Sequence, residues 1–304
     1  MTDLPVTSAS PSAAPSLLYK FIGDPGAIPA MLAGNIRFSA IDSLNDPAEL
    51  TPPVDRQAVL DSLERMRRQG CQDADLRLLQ AQWHFMQAFA PVDFSVDYPE
   101  NCVEVDEMLS WPIYENLDEM LHRLREMSGG LKSRLGALCL TARADSAPMW
   151  AYYAGNARGA VIVYRDIGRA LDCAAFSGPE YEGLKLSSVQ YDAHNPGVTF
   201  APETYRSLFF NKLPDWSAER EWRAVVGMDR SHGDEFAPYR DIQIDPSHIA
   251  GVVCGWNMRP DIYETAQAAA RAAGKPAGCA EIRDGRIVLP EFACPHHRNE
   301  MESA

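Results

Sequence analysis

Two glutamates separated by one residue, Glu219 and Glu221, have residue types and spacing that could do acid–base chemistry. If a strand begins at Glu221 and continues through residues 222–228, both carboxylates share one of its faces and Trp222 lies on the other. Two carboxylates on one face repel each other, so one of them tends to hold its proton or to pair with a cation. The pair therefore suits a general acid or base, or a group that stabilises a developing positive charge, unless both are exposed residues of an edge strand.

A lysine lies between two aromatic residues near the start of the chain. Lys20 follows Tyr19 and precedes Phe21 in a short apolar run that is typical of a strand. Its ammonium group points either into a pocket or, from an edge strand, into solvent. These residue types alone favour the second interpretation.

A turn with several polar groups follows the second predicted strand. Ser39 is followed by Asn45-Asp46-Pro47, which brings a hydroxyl, an amide and a carboxylate close together in the chain. Asn and Asp side chains often bond backbone amides in such turns. Asp46 therefore either holds the turn together or lies beside a ligand.

An aromatic cluster follows in the middle of the chain. Trp150 and Tyr153 are three residues apart and share one face of a predicted helix, which Gly155 can terminate. The simplest interpretation is core packing. The alternative is that Trp150, Tyr152 and Tyr153 form the wall of a pocket in which a flat ring stacks.

These residues require a mixed α+β domain to position them. The first part has the order strand, helix, strand, over residues 17–22, 27–33 and 36–40, with Asp24 placed to cap the helix and Gly34 to end it. Residues 54–90 show helical periodicity broken near Gly70, and residues 117–127 predict another amphipathic helix.

The second half of the sequence is richer in strands. The pattern predicts them at residues 137–141, 160–164, 184–191, 222–228, 242–244 and 249–254, and a terminal hairpin turns at Asp284-Gly285. Helices are expected over residues 148–154, 202–211 and 260–273. We therefore expect a single α+β domain over residues 17–292 with a helical insertion at about 54–135, a disordered tail over 1–16 and a flexible tail over 293–304.

The charge balance limits the classes of partner. The chain of 304 residues has 28 Lys and Arg against 42 Asp and Glu, a net charge of −14. This argues against extended nucleic-acid binding and against an anionic membrane surface. It allows a small nucleotide ligand in a local cationic pocket.

Cysteine use and the termini predict a cytoplasmic protein. The seven cysteines are scattered, with no C-x-x-C pair, so most are expected to be reduced and buried. No secretory signal or membrane-spanning run is evident. No histidine pair has ligand spacing, and the Cys294-Pro-His-His segment fits an unstructured tail better than a metal site.

Four segments together resemble a bacterial domain-of-unknown-function family, number twenty-nine seventy-one. The resemblance spans about residues 17–256, and the segments occur in the family's order. They are Tyr19-Lys20-Phe21, Leu44-Asn45-Asp46-Pro47, Met149-Trp150-Ala151-Tyr152-Tyr153-Ala154 and Glu219-Arg220-Glu221-Trp222-Arg223.

The chain is more distantly similar to ADP-ribosyltransferase-like proteins, which include toxins and phage-defence enzymes. This resemblance implies a mixed, mainly antiparallel sheet and NAD as substrate, with Glu221 as the carboxylate that stabilises the oxocarbenium ion and Glu219 beside it. It places Lys20 where a histidine is expected. The cofactor-binding residues that it implies are Tyr19, Lys20, Ser39, Asn45, Asp46, Trp150, Tyr153 and Arg223.

Two other classes of function fit the same residues. The first is a non-enzymatic sensor or interaction module, in which the polar cluster stabilises the fold and the acidic block at residues 92–118 meets a protein partner. The second is a metal-dependent hydrolase using Asp46 and Glu221, which the dispersed histidines do not favour. The macromolecular acceptor of a transferred group is not encoded in any recognisable motif.

Overall fold

The protein forms an α+β fold around a mixed, mainly antiparallel sheet. The computed structural model describes residues 14–45, 56–73, 100–108, 132–174, 185–192, 209–232 and 235–294, with isolated positions between these ranges. The helices are α1 (Ile28–Leu32), α2 (Arg56–Gln69), α3 (Cys102–Met108), α4 (Ala147–Tyr153), α5 (Ile167–Ala174) and α6 (Pro260–Ala272).

Fifteen strands are assigned within the described ranges. They are β1 (Leu17–Ile22), β2 (Asn35–Ala40), β3 (Leu135–Thr141), β4 (Ala160–Arg165), β5 (Ser187–Ser188), β6 (Gln190–Tyr191), β7 (Asn211–Lys212), β8 (Glu221–Gly227), β9 (Arg230–His232), β10 (Glu235–Phe236), β11 (Tyr239–Gln243), β12 (Ile249–Cys254), β13 (Ala277–Cys279), β14 (Glu281–Arg283) and β15 (Arg286–Val288). The central sheet has nine strands in the order β11-β2-β3-β1-β4-β12-β13, with β8 beside β3 and β5 beside β8. Within it, only the β12–β13 pair is parallel.

The sheet splits where β1 and β2 meet β3. Along one edge, β3 pairs with β8 over its full length. Along the other, it pairs with β2 only at Gly136 and Ala137, and with β1 only at Thr141. Because a strand has only two edges, β1 and β2 must diverge beside Cys139. The Lys20 ammonium group enters this gap and donates a hydrogen bond to the Cys139 carbonyl at 3.2 Å.

Apolar side chains cover both faces of the sheet. Leu18 belongs to a core cluster that includes residues of α1, α5 and α6, whereas its neighbour Tyr19 belongs to a second cluster around Trp150. A third, smaller cluster packs Phe209 and Phe210 near the start of β3. The sheet is therefore a rigid frame, and the residues beside its split are held from both sides.

The local predictions agree with most element positions and fail at a few. The hairpin at Asp284-Gly285 is present, with both turn residues at positive φ as a tight turn requires. Asp24, predicted to cap the helix at 27–33, instead caps a 3-10 turn, Pro25–Ala27, that precedes α1. The predicted strand at 184–191 is two separate two-residue strands, β5 and β6. The helices predicted at 117–127 and 202–211 lie largely outside the described residues.

The cysteines are less buried than expected. All seven are free, as predicted, but only Cys254 is fully buried and Cys173 is exposed. Composition favours buried cysteines on average, and the local packing at each site decides the outcome.

Ala293, the first residue of the predicted C-terminal tail, is buried. Its carbonyl accepts a hydrogen bond from the Tyr19 hydroxyl at 2.7 Å.

Tyr164 provides a stability prediction. Its hydroxyl is buried in the core and has no hydrogen-bond partner among the described residues. Because desolvating a hydroxyl without a partner is unfavourable, Tyr164→Phe is expected to raise the free energy of unfolding by about 1 kcal/mol. Urea denaturation measures this change, and Tyr152→Phe, at a position that is 74% exposed, is the matched control. A loss of stability in Tyr164→Phe alone would contradict the assignment.

Candidate functional site

A cavity of about 210 Å³ lies at the split in the sheet. Its walls come from β1, β2, β3, the C-terminal part of α4, and the segment that leads from β7 into β8. The polar and charged side chains among its lining residues are Lys20, Ser39, Ser43, Asn45, Thr141, Tyr153, Lys212, Glu219 and Glu221. The structure thus brings together four segments that are far apart in the sequence.

Arg220, whose backbone is in the left-handed conformation, sets the relative positions of the two glutamates. Glu219 ends a 3-10 helix, Pro214–Glu219, and Glu221 begins β8, while Arg220 between them has φ 45° and ψ 50°. The prediction that both glutamates share a strand face is therefore wrong, because the chain turns between them. The Thr141 hydroxyl donates a 2.5 Å hydrogen bond to the Glu219 carbonyl and joins this turn to β3.

Both carboxylates converge on one cation. The Lys212 ammonium nitrogen lies 2.7 Å from Glu219 Oε2 and 2.9 Å from Glu221 Oε2. Arg223 binds Glu221 from the other side, with Nε 2.7 Å from Oε1 and Nη2 3.1 Å from Oε2. The expected repulsion between the carboxylates is thus balanced by two cations, and the four charges sum to zero.

Glu221 is ionised although it is buried. Burial opposes its charge, but the Arg223 guanidinium and the Lys212 ammonium outweigh that effect and lower the pKa of Glu221 to about 2. Arg223 and Glu221 are 1% and 3% exposed, so little solvent screens them. At neutral pH, the wall of the cavity therefore carries a fixed carboxylate.

This pKa predicts a pH dependence of stability. The pKa of Glu221 falls from 4.5 to about 2 on folding, so its contribution is complete above pH 4.5 and is lost as the pH falls toward 2. The shift corresponds to about 3 kcal/mol. Urea unfolding at a series of pH values should show this decline, and Glu221→Gln should flatten it relative to Glu281→Gln, an exposed control. An equally steep decline in Glu221→Gln would contradict the assignment.

Two tyrosines form hydrogen bonds with the two glutamates. The Tyr153 hydroxyl donates a 2.5 Å hydrogen bond to Glu219 Oε1, and burial together with this bond raises the pKa of Tyr153 above its usual range. The Tyr191 hydroxyl accepts a hydrogen bond from the Glu221 backbone N–H at 2.7 Å. Burial raises the pKa of Tyr191 to about 12. Both phenols are neutral at physiological pH, so Glu219 faces a proton that Tyr153 holds.

The cavity carries one further cation and a thiol. Lys20 adds a positive charge to the balanced group of four, so the described part of the cavity favours an anionic ligand. Cys139 also lines the cavity. Burial and the nearby Glu221 carboxylate raise its pKa to about 12, so its thiol stays protonated and is a poor nucleophile.

Several predicted site residues lie elsewhere. Trp150 does not line the cavity: its ring packs edge-on against Phe21 at 5.1 Å and its indole N–H donates to the Ala144 carbonyl at 2.7 Å. These contacts agree with the core-packing interpretation, because a buried indole is most stable when its N–H is hydrogen-bonded. Arg223 lies behind Glu221 and is not a lining residue. Asp46 lies outside the described residues.

The remaining predicted residues line the cavity. Lys20, Ser39, Asn45 and Tyr153 do so, and so does Tyr19, although its hydroxyl points away to Ala293. Sequence reasoning did not assign Lys212 to the site. The sequence does contain a signal for this role. Lys212 lies seven residues before Glu219, and a turn at Pro214 between them can bring the ammonium group back to the carboxylates.

Among the described residues, no group of three or more His, Cys, Asp or Glu side chains could hold a metal ion. No described helix is long and apolar enough to cross a membrane. Comparison of the chain with protein-family models, with curated proteins and with solved structures found no match.

Proposed function

We propose that the protein is an NAD-consuming enzyme of ADP-ribosyltransferase-like or NAD-glycohydrolase-like type. The observation that carries the proposal is the buried, ionised Glu221 on the wall of a cavity that also holds the Lys20 cation. A fixed carboxylate in a site shielded from water stabilises a positive charge that develops during a reaction. The split, mainly antiparallel sheet supports an ADP-ribosyltransferase-like architecture for this chain.

The proposed reaction breaks the bond between nicotinamide and ribose C1′. The bonding electrons leave with nicotinamide, which becomes neutral, and the ribose becomes an oxocarbenium ion. Glu221 would accept a hydrogen bond from a ribose hydroxyl and stabilise that cation. Arg223 and Lys212 hold the carboxylate in place and keep it ionised. The barrier falls because this interaction is stronger in the transition state than in bound NAD.

Glu219 is the proposed proton acceptor for the second half of the reaction. Water or an acceptor group attacks C1′, and the proton that it loses passes to the Glu219 carboxylate, which already accepts a hydrogen bond from Tyr153. Lys20 would bind a phosphate or a ribose oxygen as a donor only, because an ammonium group has no lone pair. Ser39 and Asn45 supply further hydrogen-bonding groups on the cavity wall.

A direct experiment tests the proposal. The purified chain is incubated with NAD, and free nicotinamide is measured by liquid chromatography, together with the melting temperature at increasing NAD concentrations. We expect release of nicotinamide and a melting temperature that rises with NAD, because a ligand that binds the folded form stabilises it. The absence of both effects would refute NAD as the substrate.

A specific observation favours a second candidate, a sensor or interaction module that does not cleave its ligand. The four buried charges cancel, so the cluster can serve purely to hold β7, β8 and the intervening turn together. In that case NAD would raise the melting temperature, but the protein would release no nicotinamide from it.

Of the acidic block at residues 92–118, which the sequence proposes as the contact with a protein partner, the structure describes residues 100–108 and 118.

A further inference from the structure

A second cavity, of about 330 Å³, adjoins the first. It lies between α1, β1, β2 and the middle of β11. Lys20 and Ser39 line both cavities, so the two meet at these side chains. Nothing in the proposed chemistry at Glu221 uses the second cavity.

The sizes of the two cavities indicate a ligand longer than a nucleoside. Ligand pockets usually enclose about 300–1,000 Å³, and the first cavity alone falls below that range. It has room for a ring and a sugar beside Glu221. Adding the second cavity brings the combined space well within the range. A ligand that fills both would have its middle portion beside Lys20.

The described lining of the second cavity is largely apolar, and its charged side chains, Lys20, Asp24, Arg37 and Asp241, sum to zero charge. Arg37 forms a two-pronged ion pair with Asp241, at 2.9 and 3.0 Å, which holds the guanidinium flat. That guanidinium lies 3.7 Å from the centre of the Tyr239 ring, and the Arg37 side chain is 53% exposed. A guanidinium stacked on a ring and held by a carboxylate is a flat surface on which a nucleobase can stack.

We propose that the second cavity binds the adenosine end of a dinucleotide, with Lys20 at the junction as the partner of the pyrophosphate. This inference rests on the proposed function, because it assumes that the nicotinamide end occupies the first cavity. The balance of Arg37 against Asp241 fits a neutral nucleoside, and the cation at Lys20 fits the phosphates. The substrate class is therefore a dinucleotide and not a mononucleotide.

Titration calorimetry on the full chain tests this assignment. The affinities of NAD, nicotinamide mononucleotide and AMP are measured for the wild type and for Arg37→Ala. Loss of a stacked base costs about 1–3 kcal/mol, so the ratio of NAD affinity to mononucleotide affinity should fall about tenfold or more. The affinity for AMP should fall by a similar factor.

Two further variants make the test decisive. Arg259→Ala removes another exposed arginine paired with an aspartate, Asp261, and should leave the ratio unchanged. Ala30→Phe places a ring on the α1 wall of the second cavity and should lower NAD affinity in the same selective way. Arg37 and Ala30 variants that bind NAD as tightly as the wild type would overturn the inference while leaving the proposed function intact. A wild type that binds neither NAD nor the mononucleotide would overturn both.

Discussion

Glu221→Gln is expected to slow nicotinamide release by about 10²–10³-fold. The amide keeps the size of the side chain and removes its charge, so it cannot stabilise the oxocarbenium ion in the proposed mechanism. The magnitude is that of losing one electrostatic group aimed at the transition state. Affinity for NAD should change much less, because the charge on the ribose develops only as the bond breaks.

A structural effect has to be separated from this catalytic one. Glu221→Gln removes a carboxylate that pairs with the buried Arg223 guanidinium, so the variant will be less stable. Rates are therefore measured well below the melting temperature and divided by the folded fraction from circular dichroism. Glu281→Gln removes an exposed, ion-paired carboxylate on β14 and should leave the rate unchanged. A Glu221→Gln enzyme that releases nicotinamide as fast as Glu281→Gln would exclude Glu221 as the stabilising group.

Several elements that build the site follow from local sequence. The sequence predicts β1 at residues 17–22, and both ends agree with the structure. The prediction succeeds because the apolar run stops at Gly23-Asp24-Pro25, which cannot continue a strand. The same holds for both ends of β12, whereas β8 begins at Glu221, one residue before its predicted range of 222–228. Local pattern is sufficient where a buried strand is bounded by turn residues.

Long-range geometry decides what the local pattern cannot. The split between β1 and β2 depends on how two distant strands share one edge of β3, and no short window contains that information. The left-handed Arg220 is equally hidden, since arginine has no preference for positive φ. The convergence of Glu219 and Glu221 on Lys212 follows from that turn. Both predicted glutamates line the cavity, but they do not share the strand face that the sequence pattern predicted.

Arg223→Met is expected to lower the free energy of unfolding by about 3–5 kcal/mol. Methionine fills similar space but provides no charge, so Glu221 would keep only Lys212 as a partner while it remains buried. The substitution also removes the buried 2.8 Å hydrogen bond from Arg223 to the Phe209 carbonyl. A buried charge and a buried carbonyl that both lose partners account for a loss of this size.

Urea unfolding of matched variants measures this loss. Arg283→Met breaks an exposed pair with Glu281 and should cost less than about 1 kcal/mol. The double variant Glu221→Gln, Arg223→Met should recover part of the loss, because no unpaired charge remains between the two positions. The pH dependence follows the same logic: without Arg223, the pKa of Glu221 rises, and the decline in stability begins at a higher pH. Equal losses for Arg223→Met and Arg283→Met would show that the buried pair contributes no more than a surface one.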